Sequence, residues 1–144
     1  MVDLAVTFAE SVKDAGIRVE IKQEPVSNYF SDVFLHAPFY TNYWGRRPVH
    51  EALSVAYRSD AAWNESKHGS ARLDELLGLG AATVDPDEQK KIYAEALEIV
   101  ADEFGTLIPS QYNEAAATSA RFHVDTPSAY NFWKYDWTDA WLER

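Results

Sequence analysis

The chain contains no cysteine, which excludes disulfides, thiol nucleophiles and thiolate metal sites. Basic residues are scarce. Thirteen Lys and Arg stand against 23 Asp and Glu, a formal net charge of -10. Nucleic-acid binding needs a basic surface that displaces counterions, so this balance argues against DNA or RNA as a partner. It equally disfavours an anionic membrane face. No apolar run approaches the about 20 residues that span a bilayer. The opening "MVDLAVTFAE" has neither a basic n-region nor a small-residue cleavage site. On that reading the chain leaves the cytoplasm only as part of a longer precursor.

Catalytic and cofactor signatures are also lacking. His36, His50, His68 and His123 show no metal-ligand spacing. There is no G-x-S-x-G elbow, phosphate loop or dinucleotide fingerprint. His50 stands beside Glu51, but adjacent helix residues point in different directions, which counts against a concerted acid–base pair. The expectation is no catalytic residue, no metal and no cofactor.

What is present is apolar and aromatic. Hydrophobic residues make up 47% and aromatic residues 14%, enough to build a core. The 144 residues suit one domain, or a piece of something larger. Leu4, Ala5, Phe8, Ala9, Val12 and Ile17 recur at helical spacing, with Gly16 as a stop. "RVEIKQEP" alternates and reads as a strand over 18–25. Ser27 or Asn28 caps a short helix through Phe34 and Leu35, and "FYTNYW" reads as a second strand over 39–44.

A helix follows in "RPVHEALSVAYRS", with Pro48 in its first turn and Val49, Leu53 and Ala56 toward the core. After the loop "DAAWNESKHGS", Ser70 starts another helix, weakened by Gly78 and Gly80. The strongest helix runs from Asp85 to Gly105. Asp85 caps it, Pro86 takes the first position, Glu88 completes a capping box, and Ile92, Ala96, Ile99 and Val100 form the buried stripe. "TLIPSQY" reads as extended, and "EAAATSARFHV" as a strand that its alanines would also allow as a helix. The tail aromatics Tyr130, Phe132, Trp133, Tyr135, Trp137 and Trp141 read as packing, or as a surface to be covered. The whole is an α/β pattern that opens in mid-helix and is short of strands.

The stretch "PFYTNYWGRRPVHEAL" carries the most chemistry. Tyr43 and Trp44 end the second strand, Gly45 permits a sharp turn, and Arg46 and Arg47 sit before a helix N-terminus. Ligands of open α/β sheets bind at strand carboxyl ends, and helix starts favour anions. Trp offers a stacking face, Arg a planar fork for carboxylates. The bland alternative packs Trp44 in the core and pairs both arginines with surface acids. Trp63 and Asn64, in a polar loop, line a site or plug the core.

The run "PFYTNYWGRRPVHEALSVAYRSDAAWNES", followed by "ARLDELLGLGAATVDPDEQKKIYAEALEIVADEFGTLIPSQYNEAA", resembles the C-terminal part of extracellular solute-binding proteins of ABC importers. The family is the large one that takes up peptides, nickel chelates and opines. The resemblance implies part of a two-lobed, periplasmic-binding-protein-like (type II) fold. Residues 1–108 would form most of the second lobe, and 109–144 return strands and tail. It implies an interlobe cleft for a peptide-like or other small solute, contacted by Tyr43, Trp44, Gly45, Arg46, Arg47, Trp63 and Asn64. The partners implied are the ABC permease membrane subunits and the missing N-terminal lobe. The implied location is periplasmic or extracellular, a lipoprotein anchor being one route. Peptide-binding members place an Asp shortly after the Trp to hold an amino terminus. Here "GRRP" stands instead, which favours a ligand with a carboxylate or other anionic group. The alternatives are a self-contained interaction or dimerisation domain, and a hydrolase of unknown type using His50 and Glu51.

Overall fold

The computed structural model describes residues 1–111, 113, 117–124 and 140–143. The chain divides into two compact units, Met1–Trp44 and Gly45–Arg144.

In the first unit, α1 spans Val2–Ser11. Leu4, Ala5, Phe8, Ala9 and Val12 are its half-buried face, as their spacing predicts, while Ile17 is exposed. A 3-10 turn, Lys13–Ala15, continues the helix into Gly16, whose φ of 78° is a left-handed stop. Phe8 packs on Phe39 with ring centroids 5.6 Å apart.

The two strands predicted in this unit are not formed. Residues 18–25 and 39–44 run without a ladder. Alternation gives a strand one apolar face, but pairing with a neighbour makes it a strand, and the only sheet among the described residues lies in the other unit. Val19 is half-buried and Ile21 is exposed.

The short helix predicted after Ser27 is instead a 3-10 turn, Val26–Asn28, run into a π turn, Tyr29–Val33. Neither predicted cap serves it, because Ser27 Oγ donates to Asn28 Oδ1 at 2.9 Å. Aromatic packing shapes the segment. Tyr29, Phe30, Phe34 and Tyr40 touch in sequence, with centroids 5.2–6.3 Å apart. Leu35, at φ 65°, donates its N–H to Tyr40 Oη, and Tyr29 Oη donates to the Thr41 carbonyl. No residue of this unit is buried.

The second unit holds the core. Helix α2 spans Val49–Ala56, α3 Ala71–Ala82 and α4 Pro86–Glu103. Leu53 of α2, Leu73, Leu76 and Leu77 of α3, and Tyr93, Ala96 and Val100 of α4 form one cluster, closed by Phe104. Leu73 and Leu76 are fully buried. Each such leucine removes enough apolar surface from water to contribute about 1.5–3 kcal/mol. Val49 was expected to join them but is exposed; Leu53 and Ala56, one and two turns on, carry the packing of α2.

Local signals set the helix ends. Ser70 accepts from the Leu73 N–H, and Asp85 accepts from the N–H groups of Asp87 and Glu88. The capping box is not closed as expected, since the Glu88 carboxylate takes Lys91 at 2.7 Å instead. The buried stripe of α4 centres on Tyr93, Ala96 and Val100, with Ile92 and Ile99 partly buried at its edges. Gly80 explains the rotation. A Cβ there would stand 2.6 Å from Tyr93 Cζ, so the glycine is the notch that admits the ring. Burial raises the Tyr93 hydroxyl above the ordinary tyrosine value. On the surface, Arg72 of α3 bridges Glu75 and Glu95, both at 2.7 Å, and so ties α3 to α4.

Gly105, at φ 63°, ends the helical run, and the chain runs on through residue 111 in neither helix nor strand. Of the described residues in the strand predicted from "EAAATSARFHV", two are in a ladder. β1, Phe122–His123, pairs antiparallel with β2, Trp141–Leu142. Trp141 stacks on the His123 ring with centroids 3.9 Å apart. The other tail aromatics, residues 130–137, lie outside the described residues.

Candidate ligand-contact site

The unit boundary falls inside the stretch that the sequence singled out, between Trp44 and Gly45. On the first side, Tyr43 is 70% exposed and Trp44 is 36% exposed. On the second side, Arg47 is committed locally. Its Nη1 donates to the Gly45 carbonyl at 3.2 Å and its Nε lies 3.3 Å from Glu51. This i,i+4 pair steadies the entry to α2. Arg46 is exposed and makes no ion pair among the described residues. Glu51 is thus drawn to Arg47, whereas His50 Nε2 lies 3.4 Å from Ser54 Oγ. The His50 Nδ1 is buried without a partner, so no carboxylate orients that ring as a general base would require.

The loop between α2 and α3 is closed by its own hydrogen bonds. Asn64, 7% exposed, is its hub. Its amide nitrogen donates to the carbonyls of Arg58, at 3.3 Å, and His68, at 2.7 Å. Its Oδ1 accepts from Ser66 Oγ, which in turn accepts the His68 N–H. Two tight turns stand on either side, Ala61 N–H to the Arg58 carbonyl and Lys67 N–H to the Asn64 carbonyl. Asp74 of α3 accepts the Ser59 N–H at 3.0 Å and fastens the loop to the helix bundle. The hydrogen-bonding atoms of the Asn64 side chain are therefore all engaged within the loop. It positions the neighbouring residues, a role that the sequence reading, which placed it against a ligand, did not give it.

What the hub positions is Trp63, 49% exposed at the loop surface. Next to it lies a shallow depression of about 440 Å³. Its lining is apolar at Val55, Ala61, Ala62 and Trp63 and polar at Ser54, Arg58 and Asp60. Arg58 Nε and Nη2 hold the two Asp60 oxygens at 2.7 and 2.8 Å. This two-point contact fixes the plane of the guanidinium. A second depression, of about 530 Å³, shares Ser54, Arg58 and Asp60 with the first and adds His50, Ser59, Asp74, Leu77, Gly78 and Ala81.

Arg58 and Asp60 were missed in the sequence. The signal that could have found them is their spacing in "RSDAAW": opposite charges two residues apart in a turn, just before a tryptophan. Among the described residues there is no cluster of three side chains able to hold a metal, and no helix long and apolar enough to cross a membrane. No family model, no curated protein and no solved structure matches this chain.

Proposed function

We propose that the chain is the C-terminal portion of the ligand-capturing component of an ABC transporter, binding a small solute with an anionic group in a cleft between two lobes. The observation that carries this reading is the first unit. It holds eight aromatic residues, yet none is buried, and Phe30, Phe39 and Tyr43 are each more than 60% exposed. Apolar surface of that kind is costly in water and marks a face meant to be covered. In this reading the remainder of the two-lobed, type II binding-protein fold, including the N-terminal lobe, covers it. The lobes close on solute and the closed form docks on membrane permease subunits outside the cytoplasm.

Trp44 supplies a stacking face and Arg46 a positive charge that no described carboxylate neutralises. At Arg46 a protonated amine is repelled and a carboxylate attracted. Calorimetric titration of the protein with matched acidic and cationic small molecules is expected to give heat with the acids, reduced by Arg46→Gln. Preference for the cations overturns the reading. The same aromatic surface also favours a second reading, a domain that self-associates. It would be indifferent to both sets of solute.

A further inference from the structure

The apolar depression beside Trp63 has what an amphiphilic anion needs. One wall is an indole, half in water, on a loop that is already ordered. Val55, Ala61 and Ala62 add small apolar lining. The polar end is a guanidinium whose plane is already set. Asp60 occupies the Nε–Nη2 edge of Arg58. The Nη1 group makes no hydrogen bond among the described residues, so the Nη1–Nη2 edge remains for a second carboxylate. One arginine can serve two carboxylates in this way because it has five N–H donors in one plane.

We infer that this depression is a contact site for a small carboxylate with an aliphatic or aromatic body. The body lies on Trp63 and the alanines, and the carboxylate meets the outer edge of Arg58. Asp60 is a positioning residue that holds the guanidinium flat. Asn64 holds the loop. The inference rests on the solute-binding reading for its biological sense, but not for its geometry, because every residue belongs to the second unit.

Charge decides which of the two depressions suits an anion. Asp74 lines the second depression and repels one. Among the described residues the first has no acid besides Asp60, which Arg58 already neutralises. The net charge of -10 is no obstacle. Distant surface charges are screened beyond about 8–10 Å at ordinary ionic strength. A shallow, water-exposed site of this kind binds weakly by itself, in the millimolar range, since half of the ligand stays in solvent.

The test is a chemical-shift titration of the protein that follows the indole N–H signals, with Trp63 assigned by its loss in Trp63→Phe. The probes are hexanoate, hexanamide and hexylammonium, which share a chain and differ in head group. Hexanoate is expected to shift the Trp63 signal to saturation, and the other two to do so much less. Arg58→Gln is expected to weaken hexanoate by about tenfold, the scale of one charge-assisted contact. Arg58→Lys, which keeps the charge and loses the fork, is expected to weaken it nearly as much. Equal response to hexanamide, no change in Arg58→Gln, or no shift at Trp63 overturns the inference. A response confined to Trp44 and abolished by Arg46→Gln also overturns it, while leaving the solute-binding reading intact. A response at Trp63 with none at Trp44 supports this site and counts against Trp44 and Arg46 as the anchor.

Discussion

Two glycines in α3, two positions apart, are expected to respond to the same substitution with opposite sign. Gly80→Ala should destabilise the protein by about 1–3 kcal/mol, the usual cost of forcing an extra methyl into a filled core. The new Cβ would stand 2.6 Å from Tyr93 Cζ and 2.8 Å from Tyr93 Oη. The ring cannot swing aside freely, because Tyr93 is 5% exposed within the cluster. Alanine's better helix propensity offsets about 1 kcal/mol of this and no more. Gly78→Ala should stabilise by about 0.5–1 kcal/mol, because among the described residues nothing lies within 4 Å of its Cβ position. Urea unfolding followed by circular dichroism reads both. Two stabilised variants would mean that α3 and α4 do not pack through the Gly80 notch.

The second large effect belongs to Asn64. Asn64→Ala removes two donated hydrogen bonds and one accepted one from a residue that is 7% exposed. The carbonyl of His68 loses a 2.7 Å partner. Leaving a buried polar group unpaired costs about 1–3 kcal/mol. The loss should be larger than for Ser66→Ala, which keeps both amide contacts to the loop backbone. Loop order should fall with it. Amide exchange from 58 to 68 is expected to accelerate in Asn64→Ala while α3 and α4 stay protected. Unchanged exchange in the loop would show that the turns alone hold it.

The helices of the second unit were legible because their signals are local. Ser70, Asp85, Pro86 and Gly105 each act within one turn of the chain, and each stands where its residue type predicts. The stripe of α4 was legible only to within one residue. Periodicity gives a face, but Gly80 on a different helix selects Tyr93 as the centre of that face. The strand at 18–25 was read from alternation and that at 39–44 from β-forming residue types, neither of which says whether a partner is there to complete the ladder.

The candidate site was legible in part. An indole in a polar loop marked the region of Trp63. The role of Asn64 depends on carbonyls of residues six before it and four after it, a closure that no residue pattern announces. Arg58 escaped notice because an arginine at the end of a helix ordinarily reads as solvated surface.

The proposed function makes these residues one part of a larger, exported, hinged receptor. An antibody raised against the α3–α4 surface can read this directly in the native cells, by fractionation and blotting. A single band well above 16.3 kDa, in the periplasmic or extracellular fraction, is expected. A band at 16.3 kDa that stays with the cytoplasm would contradict it.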